Sequence, residues 1–151
     1  MNRIQIQQAP IDLVAEQTAL WQGRPQVGAL ATFAGFMRDM NAGIGVSAMI
    51  LEHYPGMTEK ALEAIAAEAE RRWPLEGLRI VHRVGPLVPQ DLIVFVGVAS
   101  RHRGEAFRAC EFLIDYLKTR APFWKKEITA SGERWVEARD SDAAAADRWQ
   151  S

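Results

Sequence analysis

The eight residues Leu92–Ala99, LIVFVGVA, contain no charge, no proline and four β-branched side chains. An apolar run of this length, with no polar residue on either alternate face, is the pattern of a strand covered on both sides. It is far short of the ~20 apolar residues needed to span a bilayer. The rest of the chain must therefore supply neighbours for both edges of this strand and cover for both of its faces.

Candidate neighbours are plain. Arg3–Gln7 alternates polar and apolar residues, Val27–Phe36 is small and apolar without a helical stripe, and Val46–Tyr54 and Leu78–Val84 read as strands, with a short one at Gly132–Val136. The cover comes from helices. Asp12 can cap one that runs to about Trp21, with Gly23 beyond its end. Thr58 is placed to cap TEKALEAIAAEAERRW, whose positions 62, 65, 66, 69 and 73 form one apolar face and which Pro74 stops. A third helix is expected over Gly104–Thr119, with a stripe at 106, 107, 110, 113, 114 and 117. Met37–Gly45 reads as a turn-rich, mobile loop, Gly85–Pro86 and Pro89–Gln90 as turns, and the alanine run 143–146 as part of a polar tail ending in Trp149. Strands and helices are interspersed without a regular βαβ rhythm, which predicts an α+β fold. At 151 residues with no Pro/Ser-rich linker, the expectation is one domain over residues 1–151.

A net charge of -1 argues against a general nucleic-acid or membrane-surface binder. One cysteine forms no internal disulfide, and the N-terminus lacks the apolar core of a signal peptide, so the cytoplasm is the expected compartment. The three histidines, 53, 82 and 102, show no metal-ligand spacing; His53 and His82 read as ordinary strand residues and Cys110 as a small core residue.

Charge is nevertheless uneven. Residues 100–126 hold seven cations against three anions, a formal +4 in a chain that is negative overall. The chain uses arginine fourteen times and lysine four times, yet three of the lysines lie in DYLKTRAPFWKKE, 115–127. Lys118 falls beside the apolar stripe of its helix, where an ammonium can be partly desolvated and its pKa lowered toward that of a base or nucleophile. Pro122 ends the helix, and Phe123 and Trp124 can anchor the segment that brings Lys125 and Lys126 back. At the other end of the same helix, His102 and Arg103 stand where free backbone N–H groups and the dipole favour an anion. Arg38 stands just after a strand, where a loop can meet a ligand. These features fit a small, strongly anionic ligand. They also fit a non-catalytic anion-binding or scaffold subunit that recognises an acidic partner or a nucleotide.

GALATFAGFMRDMNAG (28–43), LEHYPGMTEKAL (51–62), HRVG (82–85), IVFVGVASRHRGEAF (93–107), DYLKTRAPFWKKE (115–127) and RWVEARDSD (134–142) together resemble the family of large, catalytic subunits of molybdopterin synthase. The resemblance implies an α/β-hammerhead-type fold with additional strands and helices, paired as a homodimer at the centre of a heterotetramer. It implies a small ubiquitin-like sulfur-carrier subunit whose C-terminal Gly-Gly thiocarboxylate enters a pocket, and cyclic pyranopterin monophosphate as the substrate converted to molybdopterin. No cofactor is expected. Carried over residue by residue, the catalytic positions fall on Lys118 and Lys125. The substrate-binding positions fall on Phe36, Met37, Arg38, His102, Arg103, Lys126, Glu127 and Arg139 beside the two lysines. The chain departs from the family pattern at Met37, at Arg101 and near Gln90, where a glycine is common.

Overall fold

The computed structural model describes residues 2–137 and 140–150. Its elements in chain order are β1 (Ile4–Gln7), α1 (Leu13–Ala19), β2 (Ala29–Phe36), β3 (Met40–Asn41), β4 (Ile44–Gly45), β5 (Ala48–His53), α2 (Met57–Arg72), β6 (Gly77–Arg83), β7 (Gly85–Leu87), β8 (Leu92–Ser100), α3 (Arg103–Arg120), β9 (Phe123–Thr129), β10 (Gly132–Val136) and α4 (Asp140–Asp147). The arrangement is mixed α+β, as expected.

β8 lies inside a four-stranded sheet of order β1-β6-β8-β2, antiparallel to both neighbours. Its residues divide by parity. Val94, Val96 and Val98 enter the main core with Leu62, Ile65, Ala66 and Ala69 of α2 and Ala109, Phe112, Leu113 and Leu117 of α3. Phe95 and Ala99 face the other way, into a smaller cluster with Leu20, Val81, Ile11 and Leu13. This two-sided burial is why the strand reads as continuously apolar. Gly97 permits it: a Cβ there would lie 2.5 Å from Leu20 Cδ1 and 2.6 Å from the Phe95 ring, so Leu20 could not seat on the strand.

The second sheet has order β10-β9-β5-β7 and a core of its own, built from Met37, Val46, Met49, Leu51, Val84 and Leu87. Ile6, Ile93 and Phe123 touch both this cluster and the main one, joining the two sheets.

Several expectations need correction. Thr58 does not cap α2. Gly56 stands at the N-cap, where its N–H donates to Glu59 Oε1 (3.1 Å). Thr58 is buried inside the first turn, and its hydroxyl donates to the carbonyls of Tyr54 and Pro122. The 37–45 segment is a tight hairpin, not a loose loop. Ala42 and Gly43 both take positive φ between β3 and β4, as a two-residue hairpin turn demands. Gly85–Pro86 belongs to β7, paired with β5. The tail forms α4, and the Trp149 ring meets Trp73 and Phe112 edge-on at 5.7 Å. That packing widens the buried arc of α3 toward Ala109, Phe112 and Tyr116, and leaves Phe107, placed in the stripe by its spacing, 66% exposed.

The turn into β8 explains the family's glycine. Asp91 N–H donates to the Val88 carbonyl (3.0 Å), Pro89 takes the second position, and Gln90, the third, has φ +78. This is a type II turn, whose third position favours glycine. The geometry is kept with a non-glycine residue, held by Gln90 N–H to the Met37 carbonyl (2.8 Å). A left-handed conformation costs an L residue about 1–2 kcal/mol, partly offset by the greater chain entropy that glycine loses. Gln90→Gly is therefore expected to stabilise the protein by about 0.5–1 kcal/mol in urea unfolding; a loss of stability would contradict the turn assignment.

Candidate active site

A cavity of about 340 Å³ opens where the two sheets meet the end of α3. Each wall follows from an element's end. β2 delivers Gly35 and Phe36 and then, just past its last residue, Met37 and Arg38; β8 contributes Ile93 and Val94 from its start, and β6 contributes His82 from its end. The last turn of α3 supplies Leu117 and Lys118. α3 stops at Arg120, Ala121 turns to extended backbone, and Phe123 N–H donates back to the Ala121 carbonyl (2.9 Å) across Pro122. β9 therefore starts immediately, and strand alternation puts Phe123, Lys125 and Glu127 on the cavity side.

Arg38, Lys118 and Lys125 thus come together from three separate elements, with Phe36, Met37 and Glu127 beside them. Other expected members do not join them. Lys126 faces away, 3.5 Å from Glu133 and over the Trp135 ring at 5.4 Å, because neighbours along a strand point to opposite faces. Trp124 shares that outer face and is 47% exposed, so Phe123 alone anchors the segment. His102 and Arg103 are exposed at the N-terminal end of α3; fifteen residues at 1.5 Å rise separate Arg103 from Lys118 by about 22 Å. Lys118 is exposed rather than half-desolvated, since α3 ends at the cavity rim. Arg139 lies outside the described residues.

The structure adds members that the sequence reading passed over: Asn41, Met49, His82, Glu137 and Asp142. Glu127 is buried and receives Arg134 Nη2 (2.9 Å) and Nε (3.0 Å) as well as Asn41 Nδ2 (3.1 Å). Arg134 also donates to the Asn41 carbonyl (3.3 Å). This cluster latches the β3–β4 hairpin across the cavity edge. The segment 129–132 is a tight turn closed by Thr129 Oγ1 donating to the Gly132 carbonyl (3.0 Å).

His82 is not an ordinary strand residue. It is 4% exposed, its ring stacks on Phe123 at 3.9 Å and 17°, and Nδ1 lies 2.8 Å from the Arg83 carbonyl. A carbonyl only accepts, so Nδ1 holds the proton and Nε2 has a free lone pair. Burial, opposed by the Arg83 hydrogen bond and reinforced by the positive charges of Lys118, Lys125 and His53, lowers its pKa from 6.5 to about 3. Cys110 is a core residue as expected, its thiol pushed up to about 12 by burial. Among the described residues no group of three or more His, Cys, Asp or Glu side chains could hold a metal ion, and no helix is long and apolar enough to cross a membrane.

The comparisons agree with this architecture. The family profile described as "MoaE protein" matches residues 6–120. A protein of Pseudomonas aeruginosa named "Molybdopterin synthase catalytic subunit" is 60% identical over 147 residues, covering 97% of this chain and 98% of its own. Among solved structures, a molybdopterin biosynthesis MoaE protein from Burkholderia ambifaria has 60% identity and a TM-score of 0.83, covering 99% of this chain and 98% of its own. Molybdopterin synthase from Staphylococcus aureus has 34% identity and a TM-score of 0.84, covering 91% and 98%. A complex of subunits 1 and 2 of the molybdopterin-converting factor from Helicobacter pylori, 18% identical with a TM-score of 0.75, shares the fold over 90% of this chain and 91% of its own.

The histidine makes a measurable claim. With a folded pKa near 3 and an unfolded value near 6.5, the unfolded chain takes up the proton first as pH falls. The stability held in the neutral ring is complete above about pH 6.5 and is lost between there and about pH 3, at up to about 1.4 kcal/mol per pH unit. Urea unfolding across that window should show a shallower pH slope for His82→Gln than for the parent; parallel slopes would mean that the ring is charged in the folded protein. With its fold, its cavity and its relatives in agreement, the chain belongs to the MoaE family, the catalytic subunits of molybdopterin synthase.

Proposed function

We propose that this chain, acting as a single domain over residues 1–151, converts cyclic pyranopterin monophosphate to molybdopterin in the cytoplasm. Two sulfurs come from the thiocarboxylated Gly-Gly terminus of a small ubiquitin-like subunit, and no further cofactor takes part. The observation that supports this best is the convergence of Arg38, Lys118 and Lys125 on one cavity with an apolar floor of Met37, Met49, Ile93, Val94, Leu117 and Phe123. A phosphorylated pterin needs both halves: fixed cations for its anionic end and apolar surface for its ring. Lys118, on the rim, meets the thiocarboxylate carbon of the incoming tail and assists acyl and proton transfer. Lys125, further along the wall, stabilises the anionic intermediates, and Arg38 holds phosphate. Lysine suits the first two roles because it can release a proton, which arginine cannot. The Helicobacter pylori complex of two subunits is the precedent for the small partner.

His102 and Arg103 join the same site only through a second copy of the chain. β2 supports such a pairing: it is the sheet's outer strand, eight residues without a charge or proline, with Leu30, Phe33 and Phe36 exposed. An apolar edge of this kind is a natural surface for self-association.

With thiocarboxylated small subunit and the cyclic precursor, the chain should form the dithiolene product; no product above a protein-free control ends the reading. Lys118→Arg should lower turnover by about 10²-fold or more while the small subunit still binds; retained turnover would mean that only a cation is required. Mixing a Lys118→Ala chain with a His102→Ala/Arg103→Ala chain should restore activity that neither has alone. No recovery in verified mixed dimers removes His102 and Arg103 from the site.

A further inference from the structure

We propose that Gly28 and Glu76 are positioning residues for the His102–Arg103 pair, fixing the turn that presents those two side chains to the cavity of a second copy. The use of the pair in that cavity rests on the function proposed above; the fixed turn does not.

The turn is short: β8 ends at Ser100 and α3 begins at Arg103. It is also tied down from three sides. Gly28, one residue before β2, donates its N–H to the Ser100 carbonyl (3.0 Å), which extends the β2–β8 ladder until Gly28 lies opposite Arg101. The Arg101 guanidinium folds back to Glu76, with Nε 2.8 Å from Oε1, and Glu76 N–H donates to the Ala99 carbonyl (2.8 Å). Arg24, in the α1–β2 connection, donates to the Glu76 carbonyl and so joins that connection to the same knot. Ser100 is buried; its hydroxyl donates to the Pro74 carbonyl and accepts from His102 N–H, each at 3.4 Å.

Gly28 is the tightest point. A Cβ there would lie 2.2 Å from the Arg101 carbonyl oxygen, a backbone atom with no rotamer to escape into. Its φ is not positive, so only the close approach calls for glycine. Any side chain at 28 would push the Arg101 peptide, the link into His102, by about 1 Å, a shift large enough to misplace a reacting or binding group.

What the turn presents is not chosen for helix stability. An N-cap is normally Ser, Thr, Asp or Asn, whose short side chain accepts from the first turn. His102 stands at the N-cap of α3 and makes no side-chain cap bond. Both His102 and Arg103 are exposed, beside the Ala29 end of β2. In a two-fold pairing along the β2 edge the strands run antiparallel, so that end meets the Phe36 end of the other copy, where Arg38 enters the cavity.

Complementation between variants tests this. Gly28→Ala should lower turnover of the cyclic precursor by about 10²-fold. Mixed with a Lys118→Ala chain it should regain activity, because that chain supplies a well-placed pair; mixed with a His102→Ala/Arg103→Ala chain it should not. Damage to the chain's own cavity gives the reverse grouping, and that result, or unimpaired turnover, overturns the proposal. The control mixture of Lys118→Ala with His102→Ala/Arg103→Ala does not involve position 28; its failure removes the two-copy reading, and the proposal with it. Where Gly28→Ala does not fold, Glu76→Ala decides, since it keeps both backbone bonds of residue 76 and cuts only the tie to Arg101. It should raise the precursor KM by about two- to fivefold, as loss of one exposed ion pair allows, and fall in the same complementation group. An unchanged KM overturns the proposal equally.

Discussion

Covering one strand on both faces sets nearly everything else in this molecule. β8 needs valines on one side to meet α2 and α3 and a phenylalanine on the other to meet Leu20, and it has a glycine where Leu20 presses closest. With both faces covered along its length, space for a ligand remains only at its ends. The cavity lies at the start of β8, where Ile93 and Val94 emerge beside the ends of β2, β6 and α3. The site is a by-product of how the core closes: Arg38 comes one position after buried Met37 and Lys118 one after buried Leu117.

Much of this could be read from the residues. The positions of β1, β2, β5, β6, β8, β10 and the first three helices followed from periodicity, while β3, β4, β7, β9 and α4 did not, and the lysine cluster pointed to the site through composition alone. What failed had physical causes. Residues 123–129 carry no strand signal strong enough to be read as β9, and it is parity along that strand that turns Lys126 and Trp124 outward while Lys125 faces in. Phe107 fits a helical stripe on spacing, but the packing of Trp149 and Trp73 around Phe112 rotates the buried arc away from it. The 37–45 hairpin was obscured because its turn is Ala42–Gly43 rather than a stronger turn pair. His82 was legible in principle: it shares the parity of Leu78 and Ile80, two residues beyond the last of the buried pair. Nothing in sequence reports that the helix layer ends there and a cavity begins.

The cavity's electrostatics divide between fixed and adjustable groups. Glu127 is paired with Arg134 and accepts a hydrogen bond from Asn41, so its charge serves the hairpin latch more than it opposes the cations. His82 stays uncharged through the physiological range. Arg38, Lys118 and Lys125 share the cavity lining with Glu137 and Asp142. A site of this kind attracts an anion while keeping carboxylates at its rim.

The abrupt α3–Pro122–β9 junction has a consequence for how such a site can change over generations. Lys118 counts from a helix and Lys125 from a strand, with a single proline between the two frames. Substitutions around it alter side chains one at a time. Losing or gaining one residue between Pro122 and Lys125 instead inverts the strand, bringing a tryptophan or a differently placed lysine inward and expelling Glu127 from its latch. The segment can therefore drift in composition but not in length, and insertions tolerated in most surface connections would here erase the site in a single event.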